Sequence, residues 1–336
     1  MKAVFFNGPG NFEIKDIEIP EINEDEILIR TKYSGLCGTD LKIFKGDYTV
    51  NFPVIPGHEF SGVVDRVGKN IKTFKSGDRV AVDQTLSCGV CYYCRSNRRN
   101  LCETRGSYGT TKNGGFAEYT KVLEQNLYDL DDSVTLKEAA LQEPLGCSIS
   151  GIQKLKINYG DNAILFGAGT MGLILLQLLN LRGISHLTVI DVDQNKLDRA
   201  KKLGADEVIL NDDYLENKLN KISRNGFNIV IDATGNITVY EQLFKFVKKG
   251  GEILFFGLCA SDKRVNISPN QIHRNELSIY GSFSLNNNTT QALEMMKSKK
   301  LDLDSLISHE FRLSKFDEAF KILKSGKAIK ILIDCT

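Results

Sequence analysis

Ala163-Ile-Leu-Phe166-Gly167-Ala-Gly169-Thr170-Met171-Gly172-Leu173-Ile-Leu-Leu-Gln-Leu-Leu179 reads as a short buried strand running directly into a glycine-rich turn and an apolar helix. The glycines permit a tight turn, close backbone approach to a pyrophosphate and close packing of helix on strand. The helix N-terminus adds N–H donors and a favourable dipole. Alone, such a turn is a weak signal. It gains weight because a second strand, Leu187-Thr-Val-Ile-Asp191, ends in an acid nineteen residues after Gly172, where the ribose 2′-hydroxyl of a dinucleotide is expected. A carboxylate there bonds both ribose hydroxyls of NAD and repels the 2′-phosphate of NADP. Asp193 is a second acid at this strand end, and either residue can also be read as the N-cap of Gln194-Asn-Lys-Leu-Asp-Arg-Ala.

Downstream, Glu207-Val-Ile-Leu, Asn228-Ile-Val-Ile-Asp-Ala, Gly251-Glu-Ile-Leu-Phe-Phe-Gly and Leu277-Ser-Ile-Tyr-Gly-Ser alternate with helical segments such as Thr238 to Lys249. That alternation predicts a six-stranded, doubly wound parallel sheet. Ala233-Thr-Gly235, Gly257-Leu and Gly281-Ser282 follow strand ends, the edge where such sheets bind ligands. Upstream, to about Asp83, short β-forming runs separated by Gly8-Pro-Gly10, Pro20 and Asn23-Glu-Asp predict a barrel-like domain. After about Leu285, helices near 289–299 and 315–325 and a last strand, Ala328-Ile-Lys-Ile-Leu-Ile, are expected to rejoin that first domain. Lys297-Ser-Lys-Lys300 reads as a solvated helix end.

Three separated pieces carry metal-ligand chemistry: Cys37-Gly-Thr39-Asp40, Gly57-His58-Glu59 and Glu143-Pro144. Together they offer a thiolate, an imidazole and two carboxylates, the ligand types of a zinc ion that keeps a position open for substrate. Taken singly, Cys37 is a small buried hydrophobe, His58 a satisfied core histidine and Glu143 a surface charge. They are not alone, however, and the chain has only four histidines to distribute. Thr39 offers a hydroxyl to pass a proton outward. Glu143 lies between Ala139-Ala-Leu and Leu145-Gly-Cys-Ser-Ile, an apolar neighbourhood in which a carboxylate wants a cation. The preceding run from Thr135 starts like a helix, with Ser133 or Thr135 as cap, and Glu143-Pro144 is expected to interrupt it.

Cys88-Gly-Val-Cys91-Tyr-Tyr-Cys94, with Cys102 following, is the most specific feature. Four thiolates within residues 87–103 can close a tetrahedral zinc site, which has no room for substrate and serves to fold its lobe. A redox Cys-x-x-Cys pair would leave Cys94 and Cys102 unexplained. A nucleic-acid zinc ribbon would use Arg95, Arg98 and Arg99, but three arginines in a near-neutral chain read as a solvated face. Cys147, Cys259, Cys335, His186, His273 and His309 have no partner at metal spacing and read as structural.

Lys+Arg 43 against Asp+Glu 42 in 336 residues gives nothing to draw the chain to nucleic acid or an anionic membrane. No apolar run approaches the ~20 residues of a membrane span, and Met1-Lys-Ala-Val-Phe-Phe-Asn-Gly does not open a signal peptide. A cytoplasmic location is the expectation, and there eight cysteines are ligands or core residues rather than disulfides.

The order Cys37-Gly-Thr-Asp, Gly57-His-Glu, the four-cysteine lobe, Gly114-Gly-Phe-Ala-Glu-Tyr, Glu143-Pro-Leu and Gly167-Ala-Gly-Thr-Met-Gly resembles the zinc-containing medium-chain dehydrogenases across essentially the whole chain. Glu143 stands where alcohol dehydrogenases proper carry a cysteine, and there the sequence is more similar to sorbitol, other polyol and threonine dehydrogenases. The resemblance implies a GroES-like β-barrel catalytic domain, residues 1–150 and 286–336, around an inserted Rossmann NAD-binding domain, residues 151–285. It also implies two zinc ions per subunit, NAD, a small-molecule alcohol substrate and a homo-oligomer, dimer or tetramer. By position, Cys37, His58 and Glu59 would ligate the catalytic zinc, with Glu143 a fourth ligand or bound through water. Cys88, Cys91, Cys94 and Cys102 would hold the structural one. The implied reaction is hydride transfer between a secondary alcohol, a polyol with or without phosphate, and NAD.

Thr39 would form the inner end of a proton relay, but many relatives place a histidine five residues after the zinc cysteine and this chain has Lys42. Gln142-Glu-Pro-Leu-Gly146 also resembles threonine dehydrogenases, whereas Cys147-Ser-Ile-Ser-Gly-Ile is more similar to polyol dehydrogenases. A zinc-folded NADH-binding protein without turnover is the alternative from another class; it would be free to lose Cys37 or His58. Phe44, Tyr48 and the loop near Phe283 are candidates for the substrate pocket.

Overall fold

The computed structural model describes residues 1–48 and 50–336, which form two compact units: Met1–Gly146 with Leu285–Thr336, and Cys147–Ser284. The first unit opens with the hairpin β1 (Lys2–Gly8) and β2 (Asn11–Asp16), followed by the long strand β3 (Glu26–Leu36). Helix α1 (Gly38–Lys45) comes next, where the sequence suggested only a connection between strands. Cys37 takes its N-cap position and the Asp40 carboxylate accepts from the Cys37 N–H at 2.8 Å, which fixes the first turn of the helix.

Strands β4 (Glu59–Val67), β5 (Arg79–Val82), β6 (Thr85–Leu86), β7 (Gly106–Ser107), β8 (Tyr119–Leu123) and β9 (Leu127–Asp129) follow, with the short helix α2 (Tyr92–Arg95) inside the cysteine-rich loop. Helix α3 (Leu136–Ala139) is capped by Thr135, reciprocally with Glu138, and α4 runs from Gln142 to Ile152. Glu143-Pro144 therefore begins a helix rather than interrupting one. Proline is tolerated there because a first-turn N–H has no partner within the helix.

In the second unit β10 (Asn162–Phe166), α5 (Thr170–Leu181), β11 (His186–Asp191), α6 (Gln194–Lys202), β12 (Glu207–Leu210), α7 (Leu215–Ile222), β13 (Phe227–Asp232), α8 (Ile237–Phe246), β14 (Val247–Phe255), α9 (Pro269–Arg274) and β15 (Ser278–Gly281) alternate. Their six strands are parallel in the order β12-β11-β10-β13-β14-β15. The order reverses at β10, the place where doubly wound sheets bind dinucleotides. Helix α5 is apolar on nearly every side and is buried from Gly172 to Leu179.

The chain returns to the first unit as α10 (Thr289–Lys297), β16 (Ile307–Arg312), α11 (Phe316–Ser325) and β17 (Lys330–Asp334). β16 was not foreseen. The sheet runs β16-β17-β3-β4-β5-β9, with β8 also on β3, so the chain's last strand lies directly against β3. Phe6, Phe12, Phe44, Phe316 and Phe320 pack edge to face or stacked at centroid distances of 5.0–6.3 Å. Phe44, expected in a substrate pocket, belongs to this aromatic core. Lys297 and Lys299 pair with Asp131 and Glu138, so the expected solvated helix end is tied to α3 and the turn before it. No helix among the described residues is long and apolar enough to cross a membrane.

Candidate active site and dinucleotide turn

Antiparallel register sets the open cluster. Gly35 of β3 lies opposite Glu59 of β4, while Cys37 follows the end of β3 and His58 precedes β4. A Cβ on Gly35 would stand 2.1 Å from Glu59 Oε2, so only glycine leaves room for that carboxylate. One donor atom each from Cys37, His58 and Glu59 lies within 4.8 Å of the others, and His58 and Glu59 are buried. His58 Nδ1 faces Asp40 Oδ1 at 3.7 Å, too long for a hydrogen bond, and neither buried atom has another partner. A carboxylate behind an imidazole is the arrangement that orients a metal-ligating histidine.

The electrostatics of the cluster favour a cation. Burial alone would push the His58 pKa down, but Cys37, Asp40 and Glu143 overcome it and raise it well above the usual value. Burial pushes Asp40 up to about 6, against the pull of His58 and the Cys37 N–H. Lys330 was missed by the sequence reading. Its Nζ is buried and donates to Glu59 Oε2 at 2.5 Å and to Leu36 O at 3.4 Å. Burial disfavours its charge, yet Glu59, Cys37 and Glu143 together raise its pKa. The available signal was one lysine inside an otherwise apolar last strand. The donor set, its burial and its surplus of negative charge fit a divalent zinc ion.

Glu143, in the first turn of α4, lies outside the tight cluster but acts on it electrostatically, and it is 9% exposed. Its Oε1 accepts from Gln84 Nε2 at 3.3 Å, a partner with no signal in the sequence. Thr39 Oγ1 is 3.8 Å from Cys37 Sγ. Lys42 lies three residues further along α1, on the same face.

In the cysteine lobe the sulfurs of Cys88, Cys91, Cys94 and Cys102 lie within 4.8 Å of one another, and none forms a disulfide. A Zn–S bond of about 2.3 Å puts tetrahedral sulfurs roughly 3.8 Å apart. Cys88 to Cys102 is 3.6 Å and Cys88 to Cys94 is 4.0 Å, so the lobe has the size of that ion. N–H groups of Cys88 and Cys91 point at Cys102 and Cys88 sulfurs, each at 3.3 Å, and the Cys102 thiol is pulled below its usual pKa, first by the Cys88 N–H. Arg99, read as part of a solvated face, is turned inward. It meets Asp83 at 3.2 Å, Thr85 O at 2.7 Å and Asn287 Oδ1 at 3.3 Å.

The glycine turn of the second unit fits a dinucleotide. A Cβ on Gly172 would lie 1.8 Å from Gly167 O, whereas one on Gly169 would meet nothing within 4 Å, which leaves a cradle at the start of α5. No side chain caps α5, and an uncapped helix start is an anion site. Thr170 and Met171 form its first turn. Asp191 ends β11; its Oδ2 accepts from Ala168 N at 2.7 Å and its Oδ1 from Asp193 N at 3.0 Å. Each oxygen keeps a lone pair for a ribose hydroxyl. Asp193, not Asp191, is the N-cap of α6.

Residues 23–132 match the alcohol dehydrogenase GroES-like domain and residues 170–298 the zinc-binding dehydrogenase family. D-altritol 5-dehydrogenase of Agrobacterium fabrum is 38% identical, over 94% of this chain and 93% of its own. A zinc-binding dehydrogenase of Sinorhizobium meliloti bound to NADP superimposes with a TM-score of 0.94 at 27% identity, covering 99% of this chain and 98% of its own. An alcohol dehydrogenase of E. coli complexed with NADH does so equally, with a TM-score of 0.94 at 27% identity and 99% of both chains covered. A GroES-like unit, a glycine-turn parallel sheet and both sets of metal donors thus occur in one chain with these relatives, and it belongs to the zinc-containing medium-chain dehydrogenases.

Proposed function

We propose that the chain oxidises a secondary alcohol of a sugar alcohol, with or without phosphate, using NAD and an open zinc site. The observation that carries this reading is the buried meeting of Cys37, His58 and Glu59 donors, with Glu143 close enough to act on them. The polyol reading also draws on the altritol enzyme, whose likeness runs over 94% of this chain. In this reading the catalytic domain is residues 1–150 with 286–336, and the NAD-binding domain 151–285, edges within four residues of the two compact units. Cys37, His58 and Glu59 hold the catalytic zinc, with Glu143 a direct or water-bridged fourth partner. Cys88, Cys91, Cys94 and Cys102 hold the structural one. We further propose a cytoplasmic homo-oligomer, dimer or tetramer.

When bound, zinc supplies the Lewis acidity that brings an alcohol's pKa towards ~7, and NAD supplies the hydride acceptor. Asp40 keeps the His58 ring turned. Thr39 takes the substrate proton and hands it outward along α1, the face that Lys42 shares. Gly167, Gly169, Thr170, Met171 and Gly172 bind the pyrophosphate at the start of α5. Asp191 selects NAD, because its carboxylate repels a 2′-phosphate; the structural neighbours, one with NADP and one with NADH, do not decide this.

The test is initial-rate reduction of NAD and of NADP across sorbitol, xylitol, arabitol, ribitol, altritol, their phosphates, 2,3-butanediol and L-threonine, with zinc per chain measured on the same sample. Turnover of a polyol with NAD preferred is expected. Turnover of threonine alone would replace the polyol reading with an amino-alcohol one.

A further inference from the structure

Gln84 lies between β5 and β6 and is 3% exposed, with no charged group of its own to explain its burial. Its Nε2 donates to Glu143 Oε1 at 3.3 Å, its Oε1 accepts from the Ser107 hydroxyl at 2.6 Å, and its main-chain oxygen accepts from Tyr108 N at 3.0 Å. The orientation of the amide follows from chemistry. An ionised carboxylate only accepts, so the amide nitrogen must face Glu143, and the amide oxygen is left to the Ser107 donor. Ser107 is itself 4% exposed.

We propose that Gln84 is a positioning residue for Glu143, locked in orientation by Ser107. This rests on the reading of Glu143 as a working carboxylate of the open site. Glu143 stands on the first turn of a helix, where its side chain has rotamers to choose from; one amide donor from a different element selects among them. The two holding residues flank the four-cysteine lobe. Gln84 immediately precedes β6, and Ser107 ends β7, where it pairs with Thr85. The lobe's base is fastened further by Arg99 on Thr85 O and by Asn126 Nδ2 on both Asp83 O and Thr85 O, at 2.7–2.9 Å. Closing the lobe on its metal therefore sets the register of the pair that aims Glu143.

The experiment compares Gln84→Met, Ser107→Ala, the double variant and Glu143→Ala in the zinc-loaded full chain. It reads kcat, KM for NAD, and the loss of zinc to a chelator. Gln84→Met should lower kcat about 10-fold, the worth of one hydrogen bond to a charged group, with KM for NAD unchanged. Its zinc should fall from two per chain towards one faster than in the parent. Ser107→Ala should show a smaller loss in kcat, about 3-fold, and add nothing to it in the Gln84→Met background, because the hydroxyl reaches Glu143 only through that amide; its other contact, Tyr108 O at 2.9 Å, is main chain. Parental kcat and zinc retention in Gln84→Met, with Glu143→Ala inactive, would overturn the positioning role alone. Full activity in Glu143→Ala would overturn both it and the reading beneath it. Should Gln84→Met not fold, Ser107→Ala removes a single hydroxyl and decides the matter: parental kcat and zinc retention there would also overturn the role.

Discussion

The cysteine lobe and the open cluster each gather metal donors, by opposite means. The lobe draws four sulfurs from fifteen consecutive residues, partly exposed, arranged by their own turns and N–H groups. The open cluster draws Cys37, His58 and Glu59 from two strand ends, sets Asp40 and Lys330 behind them and Gln84 behind Glu143, and buries nearly all of it. A closed site can be built locally because it only has to bind. One that must bind and leave a position vacant needs its ligands held from outside, by groups that the ion does not touch.

The sharpest way to break that contrast is to remove one ligand from each site. His58→Ala should cut kcat/KM by a factor on the order of 10³ or more while NAD binding and the lobe's zinc remain. Cys94→Ser should instead lower the thermal midpoint by about 10 °C or more, because zinc binding there is folding free energy. Equal losses of cofactor binding and turnover in His58→Ala, or an unchanged midpoint in Cys94→Ser, would sink the division of labour.

Lys330→Met sharpens the role of the outer supports. Removing one partner of a buried pair typically costs 3–5 kcal/mol, so denaturation of the zinc-free chain should show a loss of about 3 kcal/mol. Bound zinc would neutralise Glu59 in the lysine's place and should shrink the loss. A penalty identical with and without zinc would mean that Lys330 and the ion do not share that carboxylate.

The smallest effect concerns Glu138, which caps α3 and pairs with half-exposed Lys299 at 2.7 Å. Burial pushes its pKa up, but Lys299 and the Thr135 N–H outweigh that and hold it below the ordinary carboxylate value. A depressed pKa contributes stability above the unfolded value and loses it as pH falls through the folded one. Glu138→Gln should therefore cost about 1 kcal/mol at pH 7, and the gap from the parent should narrow below about pH 4. A gap that stays constant from pH 7 to pH 3 would show that charge is not involved.

These supports also mark where sequence reading ends. The cysteine lobe and the turn from Gly167 to Gly172 are legible because spacing along the chain is their geometry. Cys37, His58 and Glu59 are legible as chemistry, since few other residues offer such donors. Lys330 is separated from Glu59 by 271 positions and meets it only through the registers of β17 on β3 and β3 on β4, which no local pattern encodes. Gln84 looks like any polar residue between strands. Arg99 and Phe44 were misplaced for a related reason: whether a long side chain on a loop or short helix turns in or out depends on what the rest of the chain brings beside it. Helix α1 was missed because its N-cap is a cysteine, a residue that does not mark a helix start in sequence.

A Cβ on Gly146 would come within 3.3 Å of Leu285 Cβ, so the chain leaves the first unit and re-enters it at nearly one point. That adjacency bears on the order of folding. Strand β17 must find β3 across almost the entire polypeptide, and holding a loop of that length closed carries an entropic cost of roughly 5 kcal/mol. If Cys147–Ser284 folds first, with its own ends together, about half of that loop is already gathered in, and the last strand searches as if those residues were a short bridge.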